Sequence, residues 1–267
     1  MKSMKRRRFK IFLLLLIITG FFFFLFSNDI LFAFQRMRLR QAGCPSMGKS
    51  ISGMVKETSS DCNKFWAHRA DSYERLTRLS HYFHGLEADL VFDTVAKQFR
   101  VYHPPAPAGN LFADSYFQFI KSSGNHLWLD IKDIDSTEFI AATRFFIERE
   151  SLYGLKKNVV IESSQIDFVN KLAKLGFTVS FMVQPTDLQN PNGAKLDSLN
   201  AKLFPEVKFV SQEDVFIDRL KIKFPEKKII TWAISFKNYF DLSHFRTLLK
   251  DTGVCVVLIN IKSRNYK

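Results

Sequence analysis

From Lys64 onward, eight short apolar runs alternate with seven amphipathic stretches, and few folds accommodate that order. The runs read as strands at Phe65 to His68, Leu86 to Phe92, Leu127 to Ile131, Val159 to Glu162, Thr178 to Val183, Val207 to Val210, Ile229 to Ile234 and Val254 to Ile259. Between them, Tyr73 to Phe83, Phe112 to Lys121, Thr137 to Ser151, Gln165 to Leu175, Ala194 to Leu203, Val215 to Phe224 and Leu242 to Lys250 repeat apolar residues at three and four spacing, the helical period. Alternation of this kind calls for parallel strands joined by crossover helices. Eight repeats fit a closed (β/α)8 barrel of the TIM type, an α/β fold, better than a doubly wound sheet, which is the second possibility. Eight residues follow the last run, too few for an eighth outer helix, and the segment from Met47 to Glu57 is expected to cover that gap.

The amino-terminal part divides differently. Residues 11–34 form an apolar stretch long enough to span a bilayer as a helix, with six basic residues before it and three after. That bias predicts one transmembrane helix with the amino terminus in the cytoplasm and the barrel outside it, in the periplasm or at the cell exterior. A cleaved signal peptide is the competing reading, less favoured because the apolar run is long and a basic segment follows it. The chain thus divides into a basic tail and anchor over 1–40, a polar linker over 41–63 and a barrel over 64–267. Of the 39 Lys and Arg residues behind the net charge of +13, nine flank the anchor. The remainder, such as Lys221, Lys223, Lys227 and Lys228, are scattered, so no nucleic-acid partner is expected. Three cysteines exclude a disulfide scaffold and lack metal-ligand spacing. Cys44 and Cys62 flank the linker and are expected to pair outside the cytoplasm, and Cys255 falls in an apolar run as a core residue.

The chemistry gathers in residues 64–105. His68 and Arg69 end the first strand, and Glu87 and Asp89, two apart on the second, leave by the same face. Two carboxylates on the inner face of an apolar strand are costly to bury unless neutralised, and a divalent cation with oxygen ligands neutralises them well. His103 follows a short run and is closed off by Pro104 and Pro105. On the third strand, Asp130 and Lys132 repeat the two-residue spacing at the end where barrels place catalytic groups.

These motifs, His68-Arg69-Ala70, Glu87-Ala88-Asp89, His103-Pro104 and Asp130-Ile131-Lys132, resemble in order those of the glycerophosphodiester phosphodiesterases. The alanine after His-Arg and the His-Pro-Pro ending are nearer to menorin, a relative in the same phospholipase C-like superfamily. The resemblance implies that His68 and His103 are catalytic, that Glu87, Asp89 and Asp130 bind Ca2+ or Mg2+, and that Arg69, Lys132 and Trp232 face the substrate. That substrate would be a glycerophosphodiester or a lipid headgroup. Asp130 stands where the family has glutamate, and the family's closing Gly-Val-Asp-x-Ile-x-Thr-Asp survives only as Gly253-Val254 with Asn260 near the end. Such departures also suit a catalytically inactive barrel that binds or scaffolds at the cell surface. Glu162 either approaches the cation or caps the next helix. Trp232 is a pocket wall or a core aromatic. His81, His84, His126 and His244 read as surface or packing residues. No glycine-rich phosphate loop, zinc signature or serine elbow is present.

Overall fold

The computed structural model describes residues 63–190, 192–232 and 242–260, with scattered helical positions between 12 and 41. Its strands are β1 (Phe65–His68), β2 (Gly85–Asp93), β3 (Gln98–Val101), β4 (His126–Lys132), β5 (Val159–Ser163), β6 (Thr178–Met182), β7 (Phe209–Glu213), β8 (Lys228–Trp232) and β9 (Val254–Asn260). Eight of them pair in parallel in the order β1-β9-β8-β7-β6-β5-β4-β2, and β1 pairs with β2 to close the ring. The expected barrel is therefore present, and the doubly wound alternative is excluded.

Helices cross between successive strands. They are α1 (Tyr73–Ser80), α2 (Ala113–Ser123), α3 (Phe139–Tyr153), α4 (Leu155–Asn158), α5 (Ile166–Lys174), α6 (Pro185–Gln189), α7 (Ala194–Lys202), α8 (Ile217–Lys223) and α9 (Leu242–Lys250). Ser72 starts α1 by accepting the Arg75 amide at 3.2 Å, the usual way a hydroxyl satisfies an orphan donor at a helix start. Two short helices, α4 and α6, were not legible as separate periods because each is only four or five residues long.

The strand pattern sorts side chains into two cores. Phe65, Ala67, Leu86, Ala88, Leu90, Leu127, Leu129 and Ile131 point outward and pack beneath the helices. Their alternates point into the barrel. Trp66, Trp128, Val160, Ile230, Val256 and Leu258 form its floor. Each fully buried apolar side chain of this size contributes on the order of 2 kcal/mol. Above that floor, at the carboxyl ends of the same strands, the interior turns polar.

Several expectations are corrected. The strand expected at Val207 to Val210 is β7, Phe209–Glu213, so its inward serine, Ser211, escaped the apolar search. β2 is longer than expected: its first seven residues pair with β4 and its last four with antiparallel β3. The resulting hairpin rises past the barrel and returns the chain to His103.

The expected anchor falls mostly, and Cys44, Cys62 and the segment Met47 to Glu57 fall wholly, outside the described residues. Among the described residues no helix is long and apolar enough to cross a membrane. Cys255 is a half-buried free thiol packed against the barrel floor.

Candidate active site

The site begins with a turn. After β1 the backbone of Arg69 takes φ 58°, a left-handed conformation uncommon outside glycine. That turn aims the Arg69 amide at Glu87 Oε2, 2.6 Å away. Arg75, 6 % exposed on α1, clamps the same turn by donating Nε to the Arg69 carbonyl at 2.8 Å and Nη2 to the His68 carbonyl at 3.4 Å. The Ala70 amide donates to the Glu87 carbonyl at 2.7 Å, and the buried Tyr116 hydroxyl donates to the Ala70 carbonyl.

Glu87, Asp89 and Asp130 converge above the floor, each offering an oxygen within 4.8 Å of the others. Register places Asp89 beside Asp130 on neighbouring strands. Lys132 Nζ lies 2.8 Å from Asp89 Oδ1 and pairs also with Asp130 Oδ2. Burial works against the charge of Lys132, but Asp130 and Asp89 outweigh it and push its pKa up. Burial raises the Glu87 carboxyl well above its ordinary range, with the charges of Asp89, Asp71 and Asp130 adding to it. Asp130 is raised by burial and by Asp89, against the pull of Lys132. Glu87 Oε1, Asp89 Oδ2 and Asp130 Oδ1 are buried without a hydrogen-bond partner. Three such oxygens, hard donors on one cluster, fit a divalent cation of the calcium or magnesium kind.

The two imidazoles flank this cluster. His68 Nε2 lies 3.6 Å from Glu87 Oε2. Burial lowers its pKa to about 4, against the opposing charge of Asp89 and a hydrogen bond that the ring donates to Asn260. Arg69 Nη2 lies 3.0 Å from His103 Nε2. A guanidinium only donates, so His103 Nε2 accepts, which puts the ring proton of a neutral His103 on Nδ1.

Neither a protein-family model nor a curated protein matches the chain. Solved structures do. A glycerophosphodiester phosphodiesterase from Parabacteroides distasonis superposes with a TM-score of 0.54 at 17% identity, covering 74% of this chain and 93% of the other. A putative glycerophosphodiester phosphodiesterase from Galdieria sulphuraria gives a TM-score of 0.50 at 12% identity over 74% and 94% of the two chains. A phosphodiesterase from Oleispira antarctica, solved with its product sn-glycerol-3-phosphate, gives 0.50 at 13% identity over 73% and 92%. This chain has the fold of the glycerophosphodiester phosphodiesterases. At such identities the likeness establishes the barrel, and the site stands on its own geometry.

Within that phosphodiesterase barrel, the structure brings His68, Arg69, Glu87, Asp89, His103, Asp130 and Lys132 to one end. Trp232 ends β8 half-buried, its ring edge-on to Trp128 of the floor at 6.4 Å, so it belongs both to the core and to the wall above it. Glu162 sits inside the barrel and is 1 % exposed. It does not cap α5, since the Gln165 amide donates to Ser163 Oγ at 3.2 Å instead. His84 and His126 stack on each other at 4.6 Å at the opposite end, while His244 pairs with the buried Asp214 at 2.8 Å. His84 and His126 thus pack on each other, and His244 is the partner of a buried carboxylate just beyond β7.

Sequence reasoning missed two contributors. Asp71 accepts the Asp89 amide at 3.0 Å, and burial together with the Asp89 charge raises its pKa to about 7. Its signal was a carboxylate two residues beyond His-Arg. Asn260 lies opposite His68 in register and hydrogen-bonds its ring. Its signal was its place as the last residue of the closing motif.

Proposed function

We propose that the protein is a metal-dependent phosphodiesterase that hydrolyses a glycerophosphodiester or a phospholipid-headgroup diester. The observation that carries this reading is the buried cluster of Glu87, Asp89 and Asp130, each with an unpartnered oxygen, between two imidazoles and beside a guanidinium. Bound by those three carboxylates, a Ca2+ or Mg2+ ion would draw charge from the phosphate. Arg69 and Lys132 supply the cationic donors that hold the phosphate oxygens, and Trp232 forms a wall for the alcohol portion. His68, kept neutral by burial, takes a proton from the attacking oxygen as the new P–O bond forms. His103, on the hairpin side, acts in its imidazolium form, with the Arg69 guanidinium turned from Nε2 to the phosphate, and gives its proton to the departing alkoxide as the old P–O bond breaks. Exchange with solvent then removes the proton from His68 and restores the one on His103. Net hydrolysis consumes one water. Asn260 is a positioning residue that fixes the ring of His68.

The sn-glycerol-3-phosphate held by the Oleispira enzyme supports a substrate whose product is a small phosphate monoester. Release of alcohol from bis(p-nitrophenyl) phosphate and from glycerophosphocholine, with and without chelator, tests this. Turnover that survives chelation, or its absence with every cation supplied, contradicts the reading.

A second reading, a non-enzymatic binding barrel, rests on Lys132. Its ammonium spans Asp89 and Asp130 and supplies the cluster with one counter-charge from within. An unchanged melting temperature on adding calcium and magnesium would favour it.

We also propose that the barrel is tethered outside the cytoplasm by residues 11–34, supported by the apolar length and the six-to-three basic bias around it. A reporter fused after Lys267 and active only in the cytoplasm contradicts this.

A further inference from the structure

The cation reading leaves Glu162 unused, a buried carboxylate that, unlike Asp187 and Asp214, has no Lys, Arg or His partner among the described residues. Glu162 lies on β5 directly opposite Asp130 in register, on the same inward face. Val160, two residues earlier, belongs to the barrel floor, and Ile161 between them points outward to the helices. Glu162 therefore stands above the floor, on the side of the cluster away from β1. Among the described residues no lysine or arginine pairs with it, because Lys132, the nearest cationic group on the neighbouring strand, is spent on Asp89 and Asp130. The facing Ser180 and Ser211 hydroxyls lie close enough to favour the charged form of Glu162, Ser211 more than Ser180, but they leave its Oε2 without a partner.

Its Oε2 shares a property with the three ligand candidates. Glu87 Oε1, Asp89 Oδ2, Asp130 Oδ1 and Glu162 Oε2 are all buried without a partner, so four neighbouring carboxylates each leave one oxygen open. A lone buried carboxylate is expensive, and an apolar or amide side chain of the same size would remove the cost. A compensating charge in the barrel mouth removes it too.

We infer that Glu162 is a fourth carboxylate of the cation site, acting on the bound ion from the β5 side, outside the set of three direct ligands. It falls outside that set because, among the described residues, only Glu87, Asp89 and Asp130 bring oxygens within 4.8 Å of one another. Asp130 is short, and the longer Glu162 beside it extends negative charge toward the side that Asp130 does not fill. A fourth carboxylate raises the charge count of the site and strengthens its hold on a hard divalent ion.

This inference rests on the cation reading and fails separately from it. Calcium and magnesium affinities are measured by titration calorimetry on the full chain in detergent micelles, for the original protein, Glu162→Gln and Glu162→Asp. Melting in chelator reports folding. The expected result is that Glu162→Gln melts at or above the original in chelator but binds calcium about 10- to 100-fold more weakly, the range found for outer groups around a metal. Glu162→Asp, which keeps the charge and retracts it, falls between. If the original protein binds calcium and both variants match it within twofold, the inference is overturned while the three-carboxylate site stands. If the original binds neither ion at millimolar concentration, both fall. Should Glu162→Gln not fold, an affinity of Glu162→Asp equal to the original overturns the inference alone.

Discussion

The backbone amide of Arg69 donates to Glu87 Oε2 at 2.6 Å, and Arg69 reaches that position only by adopting a left-handed backbone. The residue thus has two separable jobs, one for its backbone and one for its guanidinium.

Arg69→Gly and Arg69→Ala both remove the guanidinium, but glycine adopts φ 58° without the Cβ clash that costs other residues roughly 1–2 kcal/mol. The glycine variant is therefore expected to be more stable than the alanine variant by about 1 kcal/mol. Both should raise KM for a phosphodiester about tenfold or more through loss of a charge-assisted contact. Urea unfolding and steady-state kinetics check the two halves. Equal stability of the two variants would show that the turn is unstrained.

At the other end of the barrel, a Cβ on Gly85 would lie 2.0 Å from Cδ2 of Trp66. Gly85→Ala is expected to destabilise by about 1–3 kcal/mol through overpacking of the floor. Combining it with Trp66→Leu should recover part of that loss. A Gly85→Ala protein as stable as the original would mean that Trp66 has room to turn.

How much of this was legible in the sequence follows from the period of each signal. Eight apolar runs and the paired charges at Glu87 and Asp89, and at Asp130 and Lys132, announce themselves at spacing two, and the barrel places them together. Asp71 and Asn260 carry no such period. Asp71 acts from a turn through the Asp89 amide, and Asn260 meets His68 only because the last strand closes beside the first. Ser180 is a polar residue that register sets beside Glu162, and Ser211, in register with Met182 one strand further on, comes near the same carboxylate only because the ring closes; neither is visible in the pattern. Sequence pattern reports which face a side chain takes, and closure of the ring decides which faces meet.

The pH dependence of the cation-free protein has a defined sign. Asp71 holds its proton in the folded state up to about pH 7, whereas unfolded it gives it up near the ordinary aspartate value of 3.8. Between those values the folded protein binds more protons, so stability falls as pH rises. His68 acts oppositely: its folded value of about 4 lies below the unfolded 6.5, so its share of stability is lost as pH falls from 6.5 to 4. Asp71→Asn should therefore flatten the decline between pH 4 and 7 in chelator, leaving the rise from His68 opposed only by the other raised carboxyls, Glu87, Asp130 and Glu162. Thermal unfolding across that range checks it, and an unaltered slope would remove Asp71 from the cluster's electrostatics.

The fullest test concerns the shared cation. Without it, Asp89 faces the charges of Glu87, Asp71 and Asp130, and Lys132 offsets only part of the repulsion. Asp89→Asn removes one repelling charge together with one ligand charge, so it should match or exceed the original protein in chelator. With calcium at 100 times the original dissociation constant, mass action stabilises the original by about 2.7 kcal/mol. A variant binding about 100-fold more weakly gains only about 0.4 kcal/mol at that concentration. For a domain of this size each kcal/mol moves the melting temperature by about 2–4 °C, so the two melting curves should cross between chelator and calcium. His68→Ala should behave differently, because His68 serves proton transfer and lies outside the three-carboxylate set. It should keep most of the calcium-linked gain while losing turnover. If melting ignores chelator, calcium and magnesium alike at saturating concentrations, the shared cation site must be given up. Lys132 would then be the counter-charge that holds Asp89 and Asp130, and the barrel would be the binding module of the second reading.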